Sequence, residues 1–114
     1  MKRNYSLFIS DILDAIEHIE NFINGIDINT FYKDEKTNSA VVRKLEIIGE
    51  ASKNIPDEIS KKYPQIPWAD MAKMRDKIIH SYFGVDLEIV WKTITQRLPS
   101  MKKDLEYVLK ELKK

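Results

Sequence analysis

The segment Met74–Asp86, MRDKIIHSYFGVD, contains the side chains best suited to chemistry on a phosphate group. His80 is the first candidate for proton transfer, because histidine is the side chain that most readily takes up and releases a proton near neutral pH. Arg75 carries a permanent planar cation whose donors match phosphate geometry. Asp76 and Tyr82 add a carboxylate and a hydroxyl to the same segment. Together these residue types predict a site that binds a phosphate and moves a proton.

If this segment is helical, the spacing of the four residues decides which of them can meet. Asp76 and His80 are four apart and would be neighbours, so Asp76 could orient the imidazole as a supporting catalytic group. Arg75 and Tyr82 are seven apart and would share nearly the same face. Arg75 and His80 are five apart, about 140° around a helix. Their meeting would require the reach of the arginine, a distorted helix end or a second subunit.

Each residue also has an ordinary structural explanation. A histidine near the C-terminal end of a helix interacts favourably with the helix dipole, and Arg75 and Asp76 could form an exposed ion pair. Tyr82 continues an apolar stripe, which predicts core packing with the hydroxyl reaching solvent; the stripe consists of Met71, Met74 and Ile78.

Other candidate sites in the sequence are weaker. The chain has no glycine-rich phosphate loop, no HExxH motif and no cysteine, and its two histidines are far apart. We therefore expect neither a metal site nor a cofactor. His18 is predicted to be a surface residue, and the Lys61–Lys62 pair a solvated face. Trp68 and Trp91 are predicted to anchor the core or a dimer interface rather than to stack on bases.

The composition predicts one soluble domain spanning residues 1–114. The chain is 43% hydrophobic and 32% charged, with a formal net charge of +1. A core is therefore possible, dimerisation would bury further surface, and a strongly basic nucleic-acid coat is disfavoured although a local basic cleft is not. Acidic residues interrupt the N-terminal stretch, and no apolar run approaches the length of a membrane span. We expect a cytoplasmic protein.

Apolar periodicity and scarce glycine and proline predict an all-α fold. The expected architecture is an antiparallel four-helix up-and-down bundle with a short extra connector helix. The four main helices are predicted at about residues 6–24, 39–54, 68–80 (with an end at 83 as the alternative) and from just after Asp86 almost to the C-terminus. Residues 26–38 are predicted to form a loop or a loose helix start, and the connector helix follows Pro56. Gly25 and Gly84 are expected to end helices, and Pro99 to kink the last one.

The string R-D-K-I-I-H-S-Y, Arg75–Tyr82, resembles the R-x4-H-x-Y motif of HEPN proteins, specifically the HepT-like toxin family. The similarity covers almost the whole chain. Two longer blocks also resemble that family: LEIIGEASKNIP (Leu45–Pro56) and IPWADMAKMRDKIIHSYFGVDLEIVW (Ile66–Trp91), followed by the later Leu98–Pro99.

The resemblance implies a HEPN-like helical homodimer with metal-independent ribonuclease activity, in which the R-x4-H residues of two protomers meet in one cleft. Arg75 would bind the scissile phosphate of RNA. His80 would act as general acid or base while a ribose 2′-hydroxyl attacks, leaving a cyclic phosphate. Tyr82 would accept AMP from a cognate MNT-type nucleotidyltransferase antitoxin. The family often has asparagine after the arginine; Asp76 here adds a negative charge beside the phosphate site.

A second hypothesis from another functional class stays open. The protein could be a non-enzymatic helical module that binds a nucleotide or a nucleotidyltransferase, with Arg75 and His80 only holding phosphate. The near-neutral net charge and Asp76 favour this alternative. RNA cleavage separates the two hypotheses.

Overall fold

The computed structural model describes residues 5–80 and 84–113, with the backbone alone at His80. The described chain is almost entirely helical, which confirms the predicted all-α class. Its elements are α1 (Tyr5–Ile23), α2 (Ile28–Lys33), α3 (Glu35–Lys53), α4 (Asp57–Lys62), α5 (Trp68–Ala72), α6 (Met74–Ile78), β1 (Ile79–His80), β2 (Gly84–Val85), α7 (Leu87–Lys92), a π-helical segment (Thr93–Arg97) and α8 (Leu98–Leu112).

Three long helices, α1, α3 and α8, provide most of the core. Helix α1 packs against both of the others, and its isoleucines at steps of three and four are fully buried: Ile9, Ile12, Ile16 and Ile19. Facing side chains of α3 and α8 are equally buried, including Leu45, Ile48 and Leu105. Burying each such side chain contributes about 1.5–3 kcal/mol, so the apolar stripes predicted from the sequence account for this packing.

The chain between α1 and α3 is more ordered than predicted. Residues 26–38 contain α2 and the start of α3, so the second long helix begins at Glu35 rather than near Ser39. Two aspartates explain the difference, because each caps a helix. Asp27 accepts a hydrogen bond from the Thr30 amide at 2.8 Å, and Asp34 accepts one from the Thr37 amide at 3.2 Å. These bonds satisfy amides that a helix leaves without partners in its first turn. The amide bond lowers the pKa of Asp27, and the Thr37 hydroxyl, which donates to Asp34 at 2.6 Å, lowers the pKa of Asp34 together with the Thr37 amide.

The predicted third long helix over residues 68–80 is wrong. The structure has two short helices, α5 and α6, which meet at Lys73, and α6 ends at Ile78. The chain then becomes extended, and Ile79 pairs with Val85 in an antiparallel two-residue ladder. The Asp86 amide donates to the Ile78 carbonyl at 2.8 Å, which holds the end of this hairpin together. β-Branched residues on both sides favour the extended backbone.

Several other predicted helix boundaries are confirmed, but the one at Gly84 is wrong. Gly25 follows α1 with a φ angle of 80°, which glycine adopts without strain. Gly84 has a φ angle of 74° but opens β2 and does not end a helix, because α6 already ends at Ile78. The Asp86 side chain caps α7 by accepting from the Ile89 amide. The connector helix follows Pro56 as α4.

The irregularity predicted at Pro99 takes the form of a π-helical segment directly before it. Thr93–Arg97 is π-helical, and α8 begins at Leu98. The Thr93 and Thr95 hydroxyls donate to main-chain carbonyls four residues earlier, at 2.8 and 2.7 Å. Such bonds often accompany bent helices. Arg97 of this segment donates to Asp70 of α5 at 3.3 Å.

Within residues 5–80 and 84–113, no helix combines the length and the apolar character needed to cross a bilayer.

The two tryptophans pack as predicted. Trp68 is buried, with its indole donating to the Tyr63 carbonyl at 3.0 Å, and the half-buried Trp91 lies 5.0 Å from Phe31 between ring centroids.

Candidate active site

Helix α6 carries the first half of the predicted site and is anchored by its apolar residues. Met74 and Ile78, four apart, are 5% and 0% exposed, and α6 packs against α3. The intervening residues therefore project away from the core. Arg75 and Asp76 are both exposed, as a phosphate-binding surface requires.

A close approach of helices fixes where α6 begins. Gly49 on α3 faces the end of α5, and a methyl group added there would lie 3.4 Å from the Met71 carbonyl oxygen and 3.8 Å from the Met74 side chain. A larger side chain at this position would push α5 and α6 away from α3. Gly49 therefore sets the distance between α3 and the site.

The Arg75 guanidinium is held by a carboxylate from α3. Its Nε lies 3.3 Å from Oε2 of Glu46, with the Arg75 side chain 64% exposed and that of Glu46 27% exposed. This bond uses only Nε, and the two terminal nitrogens of Arg75 have no other polar partner in the described part of the chain. They are the pair that can grip two phosphate oxygens at once. Sequence reasoning gave Glu46 no role, although it lies in the block Leu45–Pro56 that resembles the family.

A second charged cluster lies on the other side of α6. Asp70 of α5 accepts from Lys77 of α6 at 3.2 Å and from Arg97 of the π-helical segment at 3.3 Å. The hydrogen bond from Lys77 and, to a smaller extent, the one from Arg97 lower the pKa of Asp70. The cluster ties α5, α6 and the π-helical segment together and carries one excess positive charge.

Asp76 does not have the neighbour that the sequence predicted for it. Because α6 ends at Ile78, Asp76 and His80 are not on successive turns of one helix. Asp76 is exposed and has no hydrogen bond or ion pair with another described residue. The helical argument for Asp76 as the group that orients His80 is therefore wrong.

The backbone of His80 belongs to the hairpin and not to a helix. His80 pairs with Gly84, and Gly84 opens β2 with its positive φ. The 140° separation between Arg75 and His80 was calculated for a continuous helix. Because α6 ends at Ile78, two residues before His80, that separation no longer applies. Tyr82 lies outside the described residues, and its predicted position on the Arg75 face loses the same helical basis.

The remaining histidine and the lysine pair behave as predicted. His18 is exposed on α1, where its ring stacks 6.4 Å from that of Phe22. Lys61 and Lys62 are exposed at the end of α4. None of the three contributes to the surface around Arg75 through a contact within the described chain.

Comparison with known proteins gives a consistent result. The sequence profile of the family described as "Ribonuclease HepT-like" matches residues 12–108. "Probable ribonuclease HepT" of Thermococcus cleftensis is 51% identical over 110 residues, which cover 96% of this chain and 100% of that protein. Two proteins of Methanocaldococcus jannaschii, "Putative RNase MJ0127" and "Putative RNase MJ0125", are 43% and 45% identical, covering 97% of this chain and 92% and 96% of their own lengths. No solved structure matches significantly.

These matches confirm the class predicted from the R-x4-H-x-Y string, that of HEPN-type ribonucleases. Within this class, the chain belongs to the ribonuclease HepT-like family, and the matched region includes Arg75, His80 and Tyr82.

Proposed function

We propose that this chain is a metal-independent endoribonuclease in which Arg75 binds the scissile phosphate and His80 transfers protons. The observation that carries the proposal is the state of Arg75. It is an exposed guanidinium on a helix anchored by Met74 and Ile78, held through Nε alone, within a region that matches a ribonuclease family.

The chemistry needs only groups that the chain and RNA supply. The ribose 2′-oxygen attacks phosphorus while a neutral imidazole removes its proton, and the 5′-oxygen leaves with a proton from an imidazolium. The products are an RNA ending in a 2′,3′-cyclic phosphate and an RNA beginning with a 5′-hydroxyl. Arg75 stabilises the charge that develops on the phosphate oxygens.

The two proton transfers involve two imidazoles, one on each protomer of a homodimer. In a symmetric dimer the same surface of both subunits meets at the axis, so one cleft receives Arg75 and His80 from each. Support comes from the exposure of Arg75 and from the position of His80 in a hairpin only two residues beyond the end of α6.

Chelator-resistant RNA cleavage tests this proposal directly. Purified protein is incubated with single-stranded RNA in excess EDTA, and the new 3′ ends are examined by mass spectrometry. We expect cleavage to persist and the ends to carry cyclic phosphate. Loss of activity in the chelator, or products with 3′-hydroxyl ends, would contradict it.

We further propose that the chain is the toxin of a toxin–antitoxin pair, silenced in the cytoplasm by AMP transfer to Tyr82 from an MNT-type nucleotidyltransferase. The Tyr82 oxygen would attack the α-phosphate of ATP and release pyrophosphate. In the sequence, Tyr82 is two positions after His80 and two positions before Gly84. The added bulk and negative charge would exclude substrate phosphate from Arg75.

Intact-mass measurement tests the role of Tyr82. After incubation with an MNT-type nucleotidyltransferase and ATP, we expect a mass increase in multiples of one AMP group and loss of RNA cleavage. Tyr82→Phe should abolish the increase, whereas Tyr107→Phe, which changes an exposed tyrosine of α8, should retain it. An increase that survives in Tyr82→Phe would refute the assignment.

A non-enzymatic module that binds a nucleotide or a nucleotidyltransferase is the second candidate. Two carboxylates favour it, because Glu46 contacts Arg75 and Asp76 is exposed beside it, so both would oppose an incoming RNA phosphate. Tight nucleotide binding by calorimetry, together with no RNA cleavage, would support this candidate over the ribonuclease.

A further inference from the structure

We infer that Glu46 is a positioning residue, which holds the Arg75 side chain in the orientation that binds RNA phosphate. The inference rests on the proposed function of Arg75 as the phosphate-binding group. It concerns a residue of a different helix, α3, to which sequence reasoning assigned no role.

The contact between Glu46 and Arg75 constrains the guanidinium in a specific way. Glu46 Oε2 accepts from Nε at 3.3 Å, and the Glu46 side chain is largely covered, with 27% exposed. A hydrogen bond at Nε fixes the plane of the guanidinium group and leaves both terminal nitrogens available. Those nitrogens present two parallel donors, the arrangement that recognises a phosphate in a bidentate manner.

Without this contact, Arg75 would have to be ordered by the substrate. The Arg75 side chain is 64% exposed, and it has no other polar partner among the described residues. A long exposed side chain loses much rotamer freedom when a ligand fixes it, and that cost weakens binding. Glu46 reduces the cost, because it restricts the arginine before RNA arrives.

The position of Glu46 is itself fixed by packing. It lies on α3 between Leu45, which is fully buried, and Ile47, which is packed partly against the core. The close approach at Gly49 sets the separation between α3 and the α5–α6 pair. A rigid helix thus provides the acceptor, and a short anchored helix provides the arginine.

The alternative role of Glu46 makes the opposite prediction. If the carboxylate only competed with RNA phosphate for Arg75, its removal would strengthen RNA binding. If it only stabilised the fold, its removal would lower the melting temperature, and the change in RNA affinity would not depend on Arg75.

Affinity for an uncleavable RNA separates these roles. A single-stranded 2′-O-methyl RNA lacks the attacking hydroxyl, so its dissociation constant is measured whether or not the protein is an enzyme. We expect Glu46→Ala to weaken binding about three- to tenfold, the range for loss of one ordinary hydrogen bond, because this contact is partly exposed and acts on RNA only through Arg75. Glu46→Gln retains an acceptor oxygen and should restore most of the affinity. Glu50→Ala, which removes an exposed carboxylate of the same helix, is the matched control and should bind like wild type.

The decisive comparison uses the Arg75→Ala background. There, Glu46→Ala should cause no further loss of RNA affinity, while the single variant keeps the wild-type melting temperature. Unchanged or tighter binding by Glu46→Ala, or an equal loss with and without Arg75, would overturn the inference. Failure of the ribonuclease proposal is seen separately, as the absence of chelator-resistant cleavage of ordinary RNA by the wild-type protein.

Discussion

His80→Ala should lower kcat/KM for RNA cleavage by about a hundred- to ten-thousandfold, the contribution of general acid–base catalysis by a positioned side chain. In the proposed reaction an imidazole takes the proton of the 2′-hydroxyl and another protonates the leaving 5′-oxygen. Alanine can do neither. The loss should appear mainly in kcat, because Arg75 still binds the phosphate.

The fold of the His80→Ala variant should be intact. His80 contributes to the hairpin through its pairing with Gly84, and that ladder is formed by main-chain groups. Circular dichroism and thermal melting provide the check. His18→Ala is the matched control, because it removes an exposed histidine of α1 that does not contact the site. Equal cleavage by the wild type and His80→Ala would indicate a contaminating nuclease and would contradict the assignment.

Arg75→Ala is expected to reduce kcat/KM by about a hundred- to a thousandfold, as for removal of a donor that stabilises transition-state charge. Arg75 is also expected to contact a phosphate in the ground state. The slope of log binding constant against log salt concentration for RNA should therefore become shallower by about one unit or slightly less. Initial cleavage rates and salt titrations with uncleavable RNA measure the two effects.

Two further arginine variants sharpen the result for Arg75. Arg75→Lys keeps the charge but loses the paired donors, so it should recover the salt slope and only part of the activity. Arg43→Ala removes an exposed arginine of α3 and should leave the activity unchanged. Full activity in Arg75→Lys would mean that only charge matters and that bidentate binding has no role.

The sequence predicted the scaffold well, because the scaffold depends on periodic apolar residues. Ile9, Ile12 and Ile16 are buried in α1 as their spacing indicates. Proline, glycine and aspartate marked several ends correctly, including those at Pro56, Gly25 and Asp86. Such local rules act within a few residues and can be applied without tertiary information.

The sequence predicted the local structure of the site poorly. The apolar spacing of Met71, Met74 and Ile78 is typical of a continuous helix, and nothing in the residue types around Lys73 indicates a break. The hairpin that ends α6 depends on pairing between Ile79 and Val85, and that pairing is a tertiary property. Short elements are fixed by such contacts more than by intrinsic propensity.

Long-range charge pairs were also beyond sequence reasoning. Glu46 and Arg75 are 29 positions apart, so no motif of defined spacing pairs them. Arg97 reaches Asp70 from the π-helical segment, 27 positions away. In a chain with 19 basic and 18 acidic residues, many such pairs are possible, and only the fold selects among them.

The most direct test of the central claim mixes wild-type and His80→Ala subunits. Equal amounts are combined under conditions that exchange protomers, and RNA cleavage is measured in EDTA. If the cleft needs one imidazole from each protomer, a mixed dimer lacks one of the two and is nearly inactive. Random exchange leaves about a quarter of the dimers fully wild type, so activity should fall from about half to about a quarter of that of wild-type protein at the same total concentration. Activity that stays at half in a mixture shown by native mass spectrometry to contain mixed dimers would contradict a site shared between protomers.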